Sequence, residues 1–85
     1  MQKHTQVYFK YFGYGINDFV PCEVCGKKAV DIHHLDGRGK GKDVIENLQA
    51  LCRDHHRKVH EGKVNPLVYK VIHKEFLEHY AAQNT

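Results

Sequence analysis

The stretches Asp31-Ile32-His33-His34-Leu35 and Asn47-Leu48-Gln49-Ala50-Leu51-Cys52-Arg53-Asp54-His55-His56-Arg57-Lys58-Val59-His60 decide how this chain folds. Between them they hold five of its eight histidines: His33, His34, His55, His56 and His60. Imidazole binds metals through nitrogen and moves protons near neutral pH, and packing alone gives no reason to crowd it so. Cys22 and Cys25 come just before, and Cys52 stands inside the second stretch. The pattern implies two metal sites, one structural and one reactive.

Spacing separates the two. Cys22-x-x-Cys25 followed by Cys52-x-x-His55 offers four soft or borderline ligands in two close pairs, the donor set of a closed tetrahedral zinc site. A tight turn at Pro21-Cys22-Glu23-Val24-Cys25-Gly26 aims both sulfurs at one ion, and Lys27 and Lys28 favour the thiolates. Arg53 to Glu61 should be helical, ended by Gly62. On that helix His56 and His60 are four apart and share a face, whereas Cys52 and His55 lie on a neighbouring face, about 100° away per residue. His56 is also one turn from Cys52 and is an alternative fourth zinc ligand. His55 is preferred, because it frees His56 to act with His60. Plain buried thiols would not require such pairing at both ends, and no βαβ pattern surrounds Cys22 and Cys25 to make them a redox couple.

Outward from this core, Ala29 to Leu35 reads as a strand with Val30 and Ile32 on one face. Neighbouring strand residues point to opposite faces, so for His33 and His34 to share a site the strand must bend or stop there. Asp36-Gly37-Arg38-Gly39-Lys40-Gly41 supplies the break, and Val44 to Leu51 returns as a strand or an irregular equivalent with Asn47 near its start. Thr5 to Phe12 reads as a short helix capped by Thr5 and ended by Gly13. The aromatics Tyr8, Phe9, Tyr11, Phe12, Tyr14 and Phe19 are read as cover for a thin core rather than as base-stacking platforms. Asn65-Pro66 starts a C-terminal packing helix, about 66–82, whose expected apolar stripe is Val68, Val71, Ile72, Phe76 and Tyr80. His73 and His79 are expected at its surface.

Composition fits one domain over residues 1–85. A chain of 85 residues is near the lower limit for a core without a staple, and a zinc clip provides one. Three cysteines, an odd number, argue against a disulfide framework and for a reducing, cytoplasmic compartment. No apolar run approaches membrane-spanning length, and MQKHTQ lacks a signal-peptide core. The formal charge of +3 permits a polyanionic partner.

Taken together, CEVCG, DIHHLDGRGKGKD and ENLQALCRDHHRKVH, from about Cys22 to Gly62, resemble the HNH endonucleases of the zinc-carrying branch found in phages and bacteria. The resemblance implies a small α+β fold, the ββα-metal (His-Me finger) core with a structural zinc site, flanked here by the N-terminal short helix and the C-terminal helix. It implies that His34 is the general base, that Asn47 is the central N, and that His33, His56 and His60 are ligands of a catalytic divalent metal. It further implies DNA as substrate, cut to leave 5′-phosphate and 3′-hydroxyl ends. Two departures from the common pattern are visible: Cys-x-x-His stands for the second Cys-x-x-Cys, and His33 for an Asp before the base. Imidazole donors favour Zn2+, Ni2+, Co2+ or Mn2+ more than an oxygen-rich magnesium site would; the catalytic metal is expected to be Mn2+, Ni2+, Mg2+ or Zn2+.

The chemistry is consistent with those roles. Phosphodiester hydrolysis needs a deprotonated water, a counter-charge for the phosphoryl oxygens and help for the leaving alkoxide. A neutral histidine takes the proton, two or three protein ligands leave the metal open positions, and Asn47 is expected to bond across the loop and hold the His34 backbone. Arg38, Lys40, Lys42, Arg53, Arg57, Lys58 and Lys63 flank the site in a field diluted by Asp36, Asp43, Glu46, Asp54 and Glu61, and of these Arg38 and Lys40 in the glycine loop are the expected DNA contacts. A non-catalytic zinc-stabilised nucleic-acid-binding module is the second reading and a zinc-stabilised protein-interaction domain the third. So small a domain has little surface for reading sequence, which leaves room for a phage packaging or other DNA-processing partner.

Overall fold

The computed structural model describes residues 1–84. Helix α1 spans Lys3–Phe12. It begins two residues before the expected start, with Gln2 as an extended cap that makes no side-chain bond, so Thr5 is not the cap. The reason is packing. His4, Tyr8 and Phe12 recur at intervals of four and are all buried, which extends the inward face back to His4. Gly13, at φ 74°, takes the left-handed conformation that closes the helix.

The chain then makes the knuckle. The Cys22 amide donates to the Lys27 carbonyl (2.6 Å), and the Gly26 amide donates to the Cys22 carbonyl (2.9 Å). Strand β1, Asp31–His34, pairs antiparallel with β2, Leu48–Leu51, in the register Asp31↔Leu51 to His34↔Leu48. A 3-10 turn, Ile45–Asn47, occupies the start of the expected second strand. Helix α2, Arg53–His60, follows at once, and α3, Pro66–Gln83, begins with the Asn65 side chain accepting from the Leu67 amide (3.0 Å). The fold is small α+β. Its β1-β2-α2 unit has the ββα arrangement, with α1 and α3 flanking it. Among the described residues no helix is long and apolar enough to cross a membrane.

Two apolar clusters hold these elements. Tyr8, Phe12, Val20, Ile32, Leu48 and Ala50 join α1 to one side of the sheet. Cys22, Leu51, Cys52 and Tyr69 join the knuckle and the start of α2 to α3. Tyr8 and Phe12 thus cover the core as expected, but Val30 does not pair with Ile32 inside. Val30 precedes the strand and is 54% exposed, whereas Ile32 is buried.

Helix α3 departs further from expectation. Val68 and Val71 are exposed, and the inward line is Tyr69 and His73 with Ile72, Phe76, Leu77 and Tyr80 partly buried. Hydrophobicity misplaced the stripe because its centre is polar. His73, expected at the surface, is 2% exposed, while His79 is exposed. The Nδ1 of His73 donates to Glu23 Oε1 (2.8 Å) and its Nε2 donates to the Ile45 carbonyl (2.7 Å). Both ring nitrogens face acceptors, so the ring holds both protons. Glu23 Oε2 accepts from the Tyr8 hydroxyl (2.7 Å), and Oε1 also accepts from Gln49 Nε2 (3.3 Å). An enclosed imidazolium–carboxylate pair thereby ties the knuckle to α1, β2 and α3.

Candidate metal centres and catalytic cleft

Helix α2 buries none of its residues, and eight residues make a marginal helix without packing. Besides Val59, which packs partly buried on the second apolar cluster, its fixed points are side chains that can bind ions. At its start the Cys52 and His55 side chains turn toward the knuckle. His55 Nδ1 lies 3.2 Å from Cys52 Sγ and 3.8 Å from Cys22 Sγ, and Cys25 Sγ lies 3.7 Å from Cys52 Sγ. Tetrahedral zinc with Zn–S bonds of about 2.3 Å sets sulfurs about 3.8 Å apart, so the donor set fits the ion. The four ligand atoms lie within 4.8 Å of one another, and it is His55, not His56, that joins the cysteines. Burial pushes the Cys52 thiol up, but hydrogen bonds from the His55 amide and ring and from Cys25 and Cys22 outweigh it and bring it down to about 6. At Cys22 burial prevails and the thiol is raised.

The second cluster lies one step further along α2. His56 Nε2 and His60 Nε2 are 2.9 Å apart, the two rings of an i, i+4 pair turned to one point. The ring of His33 meets both, with centroids 5.4 Å from each. Ligand nitrogens of His33, His56 and His60 lie within 4.8 Å of one another. Burial, then the neighbouring His56 and His60, lower His33 to about 4. Burial likewise lowers His56, against the opposing pull of Asp31. Neutral imidazole is the form that binds a metal, so this trio suits one divalent ion with open positions.

Strand β1 does not break between His33 and His34; its register runs through His34↔Leu48. The two rings leave opposite faces of the strand, as alternation requires. They still serve one place. A cleft of about 280 Å³ is lined by Asp31, Ile32, His33, His34, Gly37, Arg38, His56 and His60. His34 is buried (7% exposed), and its Nε2 bonds Asp43 Oδ1 at 2.8 Å. That bond holds the Asp43 carboxyl below its usual value. A carboxylate accepts only, so Nε2 carries the proton and Nδ1 keeps the lone pair.

The Asn47 side chain bonds across the loop, but none of its bonds goes to the His34 backbone. Its Oδ1 accepts from the Asp36 amide (2.6 Å), and its Nδ2 donates to the carbonyls of Gly37 (3.2 Å) and Lys42 (3.0 Å). The side chain therefore pins both ends of the glycine loop, placing Arg38 on the cleft and Asp43 against His34. It touches His34 only through chain neighbours, as when the Leu35 amide donates to the Asn47 carbonyl (2.9 Å). Lys40 is exposed on the loop and does not line the cleft, whereas Arg38 does.

Two carboxylates escaped the sequence reading. Asp31 Oδ2 lies 3.3 Å from His56 Nε2; its place two residues before His33, on the same strand face, was a usable signal. Asp43 had none, since only the closed loop brings it to His34.

Residues 22–62 match the family model described as HNH endonuclease. The match supports the HNH family for this segment and points to a nuclease-type domain. No curated protein and no solved structure matches the chain.

Proposed function

We propose that the protein is a metal-dependent endonuclease that hydrolyses DNA phosphodiester bonds, with His34 as general base. One observation carries the reading: a histidine bonded through Nε2 to Asp43 and the His33–His56–His60 trio line the same cleft. When bound to the trio, a divalent ion such as Mn2+, Ni2+, Mg2+ or Zn2+ would supply Lewis-acid stabilisation for the phosphoryl and leaving oxygens. His34 Nδ1 takes the proton from the attacking water, and Asp43 then faces the imidazolium it helped to orient. Arg38 neutralises phosphate charge at the cleft mouth and orients the strand without reading its bases. Asn47 positions Arg38 and Asp43 through the loop. Cys22, Cys25, Cys52 and His55 hold zinc and do no chemistry; they fix α2.

Nicking of supercoiled plasmid tests this. Zinc-loaded protein supplied in turn with Mn2+, Ni2+ and Mg2+ should nick with at least one of them. His34→Ala should lose about 10²- to 10⁴-fold, the usual worth of a general base, while melting near the parent temperature. Failure of every metal, or an unimpaired His34→Ala, would defeat the reading. Binding of DNA with no cleavage would then leave the zinc-stabilised binding module.

A further inference from the structure

Helix α1 lies outside the segment that matches the family, yet it brings a histidine to the proposed base. His4 is 4% exposed, its Nε2 is buried with no hydrogen-bond partner, and its ring centroid lies 4.5 Å from that of His34. An orphaned buried nitrogen is costly, and few native structures carry one without reason. Asp43 closes the group. Ligand atoms from His4, His34 and Asp43 all lie within 4.8 Å of one another.

We infer that His4, His34 and Asp43 form a second, inhibitory site for a borderline divalent metal, separate from the His33–His56–His60 trio. The donors are two imidazoles and a carboxylate, a set that suits Zn2+, Ni2+ or Co2+. Burial, then His34 and Arg38, hold His4 below the usual histidine range, which keeps its ring neutral and able to bind. The Arg38 cation nearby opposes an incoming ion, while Asp43 and Asp31 attract it. An ion here must also displace the proton that His34 Nε2 shares with Asp43, so the site is expected to fill only after the trio.

The consequence for His34 follows from its two nitrogens. A metal on Nε2 replaces the proton now shared with Asp43. The displaced proton is taken up at Nδ1 through solvent, so the neutral ring carries its one proton there and can no longer accept from water. Excess metal would thus switch off the base without touching the trio. This effect on activity rests on the proposed role of His34; the binding does not.

Cobalt supplies a probe for both parts. In zinc-loaded His33→Ala/His60→Ala protein the trio is gone, and Co2+ titration followed by visible absorption should still show one bound ion per chain. Adding His4→Gln should abolish it. So should Asp43→Asn, which alters a part-exposed side chain and guards against misfolding of the buried His4 variant. No Co2+ bound by the double variant, or binding undiminished by either further change, overturns the site. With the trio intact, plasmid nicking should rise and then fall at least tenfold as Co2+ is raised, and His4→Gln should lose the falling limb. Binding without a falling limb overturns the inhibition. A parent that never nicks with any metal defeats the proposed function, while the ion count still decides the site.

Discussion

One eight-residue helix presents two clusters of metal-binding side chains, and they differ in nearly every physical respect. Cys22, Cys25, Cys52 and His55 form a closed group with two buried thiols, reached from both the knuckle and the helix start. His33, His56 and His60 form an open one: His60 is exposed, and the group borders a cleft. Soft donors in a closed shell hold an ion for stability, whereas three imidazoles with space beside them leave positions for substrate. In the proposed reading the closed cluster also supports the open one: α2 has no fully buried residue and packs through the partly buried Val59, so zinc at its start would keep His56 and His60 facing His33.

The sharpest way to break the comparison is to open the closed site. Structural zinc contributes about 10–16 kcal/mol in small zinc domains, as much as or more than the whole stability of a typical domain, about 5–15 kcal/mol. Cys22→Ser, or chelation of zinc, should therefore unfold the protein, seen as loss of the far-ultraviolet helix signal and of any cooperative melt. His60→Ala should leave the melt of the zinc-loaded protein near that of the parent. If Cys22→Ser melts normally, the two clusters are not different in kind.

What the sequence disclosed follows the same division. Metal ligands come in short spaced pairs, so Cys22-x-x-Cys25, Cys52-x-x-His55 and His56-x-x-x-His60 were readable by arithmetic. The helices and the β1-β2 hairpin were readable too, from caps and glycine stops more than from apolar periods, which misplaced the inward face of α3. Partners set by tertiary closure were not. Glu23 and His73 meet across 50 positions, and His4 reaches His34 only because α1 packs on the sheet. Asp43 was noted only as a negative charge diluting the basic face. A polar residue at the centre of an apolar stripe carries no local mark of burial, which is why α3 was turned by about one residue.

The next largest effect concerns the buried pair, which steadies the frame to which the knuckle is tied. Removing one partner of a buried ion pair costs about 3–5 kcal/mol, and about 4–8 °C is lost per kcal/mol in a domain of this size. His73→Leu should then lower the melting temperature by more than roughly 10 °C. The pair also has a pH signature. Burial lowers His73, but the Glu23 hydrogen bond and charge, the Ile45 carbonyl and Glu46 together raise it above its usual value. A raised histidine contributes stability that is full below about pH 6.5 and is lost as pH rises through the folded value. Melts of zinc-loaded protein should decline above that pH, and the decline should be missing in His73→Leu. Parallel curves would remove the charged pair from the account.

The open cluster has the opposite sign. His33 is lowered to about 4 and His56 is lowered as well, so the folded protein resists charging them. Stability of the protein without a catalytic metal should fall as pH drops below about 6.5, where the unfolded chain takes up protons first. Metal binding through His33 and His56 should be less acid-sensitive than binding to free histidine. Calorimetric Ni2+ titration of zinc-loaded His60→Ala protein, which leaves only the two lowered rings, should give nearly constant affinity from about pH 7.5 to 6 and a loss of several-fold nearer pH 5. A steady fall beginning at pH 7 would mean that the rings are ordinary solvated histidines and that the cleft shapes nothing.

The smallest expected effect separates the two cations of the glycine loop. Arg38 lines the cleft and Lys40 does not, although both share the flexible sequence that made them equal candidates. Each phosphate contact adds about one to the slope of log affinity against log salt. With His34→Ala protein, which binds without cutting, Arg38→Ala should reduce that slope by about 1 and weaken duplex binding uniformly across sequences. Lys40→Ala should change it by less, because a side chain away from the cleft is not held against one phosphate. Asn47 makes the difference in placement: its bonds to Asp36, Gly37 and Lys42 fix the loop ends, and Arg38 follows directly on Gly37 while Lys40 sits at the free crest. Equal slopes for the two variants would mean that the loop reaches DNA as a mobile basic arm and that its pinning serves only Asp43.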